Sequence, residues 1–221
     1  MKVGLTLIFF GGLKMKKLKV ILSAMLALLF LISLAACSSG GDKQGNAEPQ
    51  KSNEPLTGDS KILVAYFSWS SSHNTETMAE YVAGATGGEL FRLIPETPYT
   101  TDYDAVIDQA QKEKNEGTRP KLSEDLSAEQ WASYDVIFIG YPIWWYDAPM
   151  IIYSFLEAHD FSGKTIVPFA TSGGSGLNEE ERFRSVTGAE VKDGLCISHF
   201  SAGSSAESRV DEWVTSLGYH K

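Results

Sequence analysis

The sequence predicts a doubly wound α/β domain, a parallel sheet covered by helices on both faces. Three observations carry that expectation. Apolar, β-branched runs without polar alternation recur, of which Asp135-Val136-Ile137-Phe138-Ile139 is the clearest, and such runs suit strands buried on both faces. Segments with helical apolar spacing separate these runs, which points to right-handed crossovers between parallel strands. The residues after three of the strands are rich in hydroxyls, aromatics or glycine. In a parallel sheet such strand ends gather on one edge, where ligands bind.

Lys61 to Phe67 is an apolar run of strand length and opens the domain. Asn74 to Gly84 carries Met78, Tyr81 and Val82 at helical spacing. Glu89 to Ile94 is a more edge-like strand, and Tyr103 to Glu116 a polar helix with Val106, Ile107 and Ala110 as a narrow apolar stripe. Gly117 to Ser133 is long and polar and receives no element. Val136 to Ile139 is the central strand; Met150 to Ala158 follows as a helix with Ile151, Ile152, Phe155 and Leu156 inward. Lys164 to Ala170 is the next strand, with Pro168 an irregularity near its end. Asn178 to Ser185 reads as a helix capped by Asn178 with acids in its first turn. Gly194 to Ser198 is the fifth strand, and Ala206 to Leu217 an amphipathic helix bearing Val210, Trp213, Val214 and Leu217.

Three loops carry the chemistry. The first strand runs into Ser68-Trp69-Ser70-Ser71-Ser72-His73-Asn74-Thr75 and then directly into a helix. Hydroxyls and free backbone N–H groups at a helix N-terminus make an anion site. The loop has no lysine or arginine, which suits a permanently held phosphate monoester better than triphosphate turnover. Pro142 ends the central strand, and Ile143-Trp144-Trp145-Tyr146 follows, a platform for a flat ring. The third loop, Thr171-Ser172-Gly173-Gly174-Ser175-Gly176, lets backbone approach a ring edge and offers hydroxyls and N–H groups to its heteroatoms. A serine nucleophile elbow starting at Gly173 fails, because Leu177 stands where that pattern needs glycine.

These three loops, in this order, resemble those of the flavodoxin family, in the variant that reads Pro-Ile-Trp-Trp in the second loop and Thr-x-Gly-Gly-Ser-Gly in the third. The resemblance covers Lys61 to Lys221. It implies a five-stranded parallel sheet in the order 2-1-3-4-5 and one non-covalent FMN at the point where the winding reverses. It assigns Ser68, Ser70, Asn74 and Thr75 to the phosphate, with Ser72 and His73 beside them. Pro142, Ile143, Trp144 and Trp145 flank the isoalloxazine, and Thr171, Ser172, Gly173 and Gly174 face its pyrimidine edge. Two positions depart from the family pattern. The first loop is two residues longer than the T-x-T-G-x-T form, and Tyr146 stands where relatives often have glycine.

The function implied is that of an FMN electron carrier or small flavin oxidoreductase, with a redox protein or a small donor or acceptor such as a quinone as its partner. Flavin chemistry needs no acid–base residue from the protein, so none is assigned. Asp147 reads as a solvated loop carboxylate. His73, His159, His199 and His220 show no ligand spacing, so no metal is assigned. Two other functions use the same residues: an NAD(P)H:quinone or nitro-compound reductase, and a flavin-free binding lipoprotein.

The segment before the domain has its own logic. Residues 1–36 hold five lysines and no acid, and Val20 to Ala36 is almost wholly apolar. A basic start, an apolar run and small residues at the end make an export signal, beginning at Met1 or at Met15. Leu34-Ala35-Ala36-Cys37 resembles the lipobox of bacterial lipoproteins, which implies cleavage before Cys37, its lipidation, and anchoring at the outer face of the cytoplasmic membrane. Left uncleaved, the same run would be a membrane anchor near the lower length limit. Residues 37–60 are rich in Ser, Gly, Asn and Pro and read as a flexible tether. Without the five lysines of the signal, 14 basic residues face 28 acidic ones, a net of −14. Such a charge argues against nucleic acid and against direct contact with anionic lipid, so the membrane is reached only through Cys37. It also lowers the potential of a bound flavin by disfavouring an anionic reduced form. With Cys37 lipidated, Cys196 has no partner and reads as a buried apolar residue.

Overall fold

The computed structural model describes residues 60–221. The export signal, Cys37 and the tether up to residue 59 lie outside the described residues. Among the described residues, no helix is long and apolar enough to cross a membrane.

In chain order the elements are β1 (Ile62–Tyr66), α1 (Asn74–Thr86), β2 (Glu89–Arg92), α2 (Tyr103–Glu116), α3 (Ala128–Ala132), β3 (Val136–Pro142), α4 (Met150–Ala158), β4 (Thr165–Ser172), α5 (Glu180–Thr187), β5 (Glu190–Val191), β6 (Leu195–Ser198) and α6 (Ser204–Ser216). All named strand pairs are parallel, and the sheet runs β2-β1-β3-β4-β5, with β6 also on β4. The order expected from the sequence is the order found.

The strand period of two divides the core. Ile62, Val64, Val136, Phe138, Val167 and Phe169 pack with Met78, Ala79 and Val82 of α1 and Val210 and Val214 of α6. Leu63, Ala65, Ile137, Ile139, Tyr141 and Ile166 pack with Val106 of α2, Trp131 of α3, Phe155 of α4 and Phe183 of α5. Full burial of each such large apolar side chain is worth roughly 1.5–3 kcal/mol, so the two layers fix the sheet edge that the loops share. Gly140 of β3 belongs to the tight side: a Cβ there would lie 2.1 Å from the Phe169 ring.

The fifth strand is split, where the sequence predicts one strand over Gly194–Ser198. The hydrogen bonds explain the break. Ile166 accepts from the Lys192 N–H at 2.9 Å and Ser172 from the His199 N–H at 2.8 Å, so even-numbered residues of β4 face β5 and β6. Pro168 lies between them on that side and has no N–H to donate. Opposite it, a Cβ on Gly194 would sit 2.6 Å from the Pro168 carbonyl. The chain therefore leaves the ladder after Val191 and rejoins it at Leu195.

Two helical expectations shift. The polar stretch 117–133 contains α3, which starts on a Ser127–Gln130 capping box. Helix α5 begins at Glu180, not at Asn178, and Asn178 does not cap it; the Asn178 N–H instead donates to the Glu179 carboxylate at 2.9 Å.

Candidate functional site

The loop after β1 is built to leave donors unused. The Phe67 N–H still bonds the Gly140 carbonyl at 2.9 Å, which holds the chain at the strand end. A turn follows, closed by the His73 N–H on the Ser70 carbonyl at 3.0 Å, with the Ser70 and Ser72 hydroxyls 2.8 Å apart. Helix α1 then begins: its first intrahelical bond runs from the Thr77 N–H to the His73 carbonyl at 2.8 Å. The N–H groups of Asn74, Thr75 and Glu76 precede that bond and so have no helical acceptor. His73 itself has φ 52°, a left-handed conformation that glycine adopts more cheaply. Ser68 and Thr75 are buried, and the Thr75 hydroxyl meets the Thr171 hydroxyl at 2.8 Å, tying the first loop to the third.

A charge cluster flanks this loop. Glu76 receives the His73 imidazole, the Tyr66 hydroxyl at 3.2 Å and Arg92 at 3.1 Å. Burial pushes the Glu76 carboxyl up, but the His73 and Tyr66 hydrogen bonds and the Arg92 charge outweigh it, and the group stays below the ordinary carboxylate range. Burial and the Glu76 charge push the Tyr66 hydroxyl up to about 12. Arg92 comes from the end of β2, paired with Tyr66 at the end of β1, and also reaches the Ser68 carbonyl at 3.4 Å. The loop's own sequence lacks a cation, but the parallel register supplies one.

The second loop turns on a mutual hydrogen-bond pair, Trp144 N–H to Asp147 carbonyl at 2.9 Å and Asp147 N–H to Trp144 carbonyl at 3.0 Å. Its central residues, Trp145 and Tyr146, have φ 50° and 59°. Positive φ at both centres is the geometry of the tight hairpin turn that usually takes Asn-Gly. Each non-glycine residue there costs on the order of 1–3 kcal/mol, and the surroundings must over-determine it. They do so through Asp147. This residue is 4% exposed, not the solvated carboxylate that the sequence suggests. It accepts from the Tyr153 hydroxyl at 2.6 Å and the Ala148 N–H at 2.9 Å, and pairs with Lys114 of α2 at 3.4 Å and with Arg182 of α5. Lys114 also donates to the Trp145 carbonyl at 2.7 Å, and the Trp145 indole N–H to the Ile107 carbonyl at 3.0 Å. The Trp144 ring stands edge-on to Phe67, Tyr99 and Trp69, with centroids 5.4, 5.2 and 6.0 Å away.

In the third loop Ser172 turns its hydroxyl inward, onto the Ser175 carbonyl and the Ser198 hydroxyl, and accepts from the Gly174 N–H at 3.2 Å. Cys196 is half-buried behind it, its Sγ 3.4 Å from the Ser175 carbonyl, where the sequence suggests full burial.

The three loops and α2 enclose a cleft of about 540 Å³. Of the residues singled out in the sequence, Ile143, Trp144, Trp145, Gly173 and Gly174 line it. Ser68, Ser70, Ser72, His73, Asn74 and Thr75 form the neighbouring donor loop; Pro142, Thr171 and Ser172 stand behind the cleft at the ends of β3 and β4. Tyr146 and Ser175, on the loops the sequence points to, line it as well, whereas Trp69, Tyr103, Val106, Ile107 and Ala110 are lining residues the sequence did not assign. Trp69 was detectable, as an aromatic on a strand-end loop like Trp144. The α2 wall carries no such signal, because it follows an edge strand at a distance. No lining side chain is charged, so the cleft suits an uncharged flat group.

A family model described as Flavodoxin matches residues 61–217. A protein of Bacteroides eggerthii, provisionally described as a flavoprotein, superposes with a TM-score of 0.61 at 36% identity, over 72% of this chain and 98% of its own. A Bacteroides uniformis protein with the same description does so at 34% identity, with a TM-score of 0.61, over 71% and 98%. A Lactobacillus acidophilus flavoprotein, solved in complex with FMN, is 25% identical with a TM-score of 0.53, over 70% and 98%. No curated protein matches the chain. With a family model spanning its whole α/β domain, the chain belongs to the flavodoxin family.

Proposed function

We propose that the first loop and the cleft together hold one FMN, and that the protein is an electron carrier or small flavin oxidoreductase. The observation that carries this is an adjacency: an uncharged, aromatic-lined cleft of about 540 Å³ adjoins a helix start whose Asn74, Thr75 and Glu76 N–H groups have no helical acceptor. An amphiphile with a flat ring and a phosphate satisfies both halves. Those N–H groups and the Ser70 and Ser72 hydroxyls would hold the phosphate. Trp144 and Ile143 would keep water from the ring, and Gly173 and Gly174 would let backbone N–H groups reach its edge. The bound flavin would supply the one- and two-electron chemistry, and the protein would set its potential.

Export and anchoring through lipidated Cys37 complete the proposal and place the protein at the outer face of the membrane. Support comes from the Leu34-Ala35-Ala36-Cys37 sequence and the basic, apolar segment before it. Its redox partner would be a protein or a small molecule, quinones included. A reductase acting directly on quinones or nitro compounds is favoured by one observation, the exposed tyrosines at the cleft, Tyr103 and Tyr146. Steady NAD(P)H oxidation by the pure protein with a quinone present would select that reductase over a carrier.

The decisive test is the visible spectrum of the purified full chain after FMN loading and desalting. Bands retained near about 370 and 450 nm, and lost in Trp144→Ala, are the expected result. A colourless protein would refute the flavin site. Radiolabelled fatty acid incorporated by the wild type and not by Cys37→Ser would support the anchor.

A further inference from the structure

The first loop has no cation of its own, yet one stands against it. Arg92 bridges the first residue of the loop and the helix that follows it, with Nη2 3.4 Å from the Ser68 carbonyl and Nη1 3.1 Å from the Glu76 carboxylate. A guanidinium has five N–H donors in a fixed fork. Two bonds are formed among the described residues, which leaves donors for an incoming anion. The same geometry explains why a cation is needed. Glu76 lies in the first turn of α1, beside the N–H groups that have no helical acceptor, and its carboxylate would repel a phosphate arriving there. Tyr66, His73 and Arg92 occupy that carboxylate, but Arg92 alone among them carries a permanent charge.

We propose that Arg92 is a binding residue that makes this site selective for a phosphorylated flavin over its dephosphorylated form, and that Glu76 competes with the phosphate for it. This rests on the flavin reading of the cleft and adds to it a residue outside all three loops. Without Arg92 the phosphate would meet Glu76 with only neutral donors and a helix end. With Arg92 it gains charge-assisted hydrogen bonds, which riboflavin cannot form. Removing Glu76 frees the guanidinium and removes the repulsion, so the two substitutions act in opposite directions.

The test is a fluorescence titration of the full chain with FMN and with riboflavin, for the wild type, Arg92→Gln, Arg92→Lys and Glu76→Gln. The readout is the ratio of the two affinities. Arg92→Gln is expected to lower the FMN preference by about tenfold, Arg92→Lys to restore part of it, and Glu76→Gln to raise it. An unchanged ratio in Arg92→Gln, with FMN still bound, would overturn the proposal and leave the flavin reading standing. Should Arg92→Gln fail to fold, the Glu76→Gln ratio decides: a rise supports the competition, and no change or a fall overturns it. Binding of neither flavin by the wild type would overturn both.

Discussion

The loops after β1 and β3 leave neighbouring strands at the same sheet edge, and both hold non-glycine residues at positive φ, yet they are anchored in different ways. The second loop stands on a buried carboxylate: the Asp147 side chain is 5% exposed and ties together α2, α4 and α5. The first loop leans on Glu76, whose side chain is 20% exposed and whose partners His73 and Arg92 reach solvent. The difference matches the tasks proposed for them. A ring platform must keep its shape, so its strain is locked through a buried carboxylate and the buried Tyr153 hydroxyl that binds it. A phosphate cradle must present donors to a ligand, so its charges remain within reach of water and can change partners.

The largest effect should separate the two anchors. Asp147→Ala leaves the buried Tyr153 hydroxyl without its acceptor, which costs about 1–3 kcal/mol. It also removes the charge partner of Lys114 and Arg182, whose side chains are 32% and 47% exposed and rehydrate in part, so the total should be about 3 kcal/mol. Glu76→Ala removes a half-exposed cluster and should cost about 1 kcal/mol or less. Urea denaturation midpoints measure both, and equal losses would break the distinction. Next, Trp144→Ala should cost about 3 kcal/mol, because its ring fills the space between Phe67, Tyr99 and Trp69. Trp145→Ala should cost less, since that residue is 39% exposed.

Strain relief should be smaller and again unequal. Tyr146→Gly is expected to stabilise the protein by about 1 kcal/mol, because the side chain is 80% exposed and contributes little to offset its φ of 59°. His73→Gly should gain less, since it also removes the imidazole from Glu76. Thermal midpoints of the two variants test the order.

The smallest effects are on the pH dependence, and their signs are opposite. The Glu76 carboxyl is held low in the folded state, so its stabilisation is present above the usual carboxylate range and is lost as pH falls through that lowered value. Glu179, buried just before α5, accepts from the Tyr141 hydroxyl at 3.1 Å. Burial raises its carboxyl, against the hydrogen bonds from Asn178 and Tyr141. Stability from this group is therefore greatest at low pH and declines as pH rises from about 4.5 through the raised value. Glu76→Gln should flatten the acid limb of a stability–pH curve, and Glu179→Gln the decline above it.

Much of this was legible in the sequence, and what was not has a common cause. The apolar runs gave β1, β3 and β4, and the residues just past them gave Trp144, Trp145, Gly173 and Gly174, because strand ends in a parallel sheet are local in sequence. Arg92, the α2 wall and the burial of Asp147 depend on which elements become neighbours. Asp147 looks solvated until Lys114, Arg182 and Tyr153 converge on it from three helices. The split of the fifth strand was half visible: Pro168 flagged an irregularity, but only the register shows that its missing N–H faces β5 and β6. Helix α3 hid in a polar stretch because its five residues are too few to show a period.

The placement of the ligand is tested most directly by amide and indole chemical-shift mapping of the isotope-labelled protein as FMN is added. Shifts should concentrate at the Asn74, Thr75 and Glu76 amides, the Trp144 and Trp145 indoles and the Gly173–Gly174 amides. Saturable shifts confined elsewhere, such as the loop between β6 and α6, or no shifts at all, would contradict a flavin held between the donor loop and the aromatic cleft.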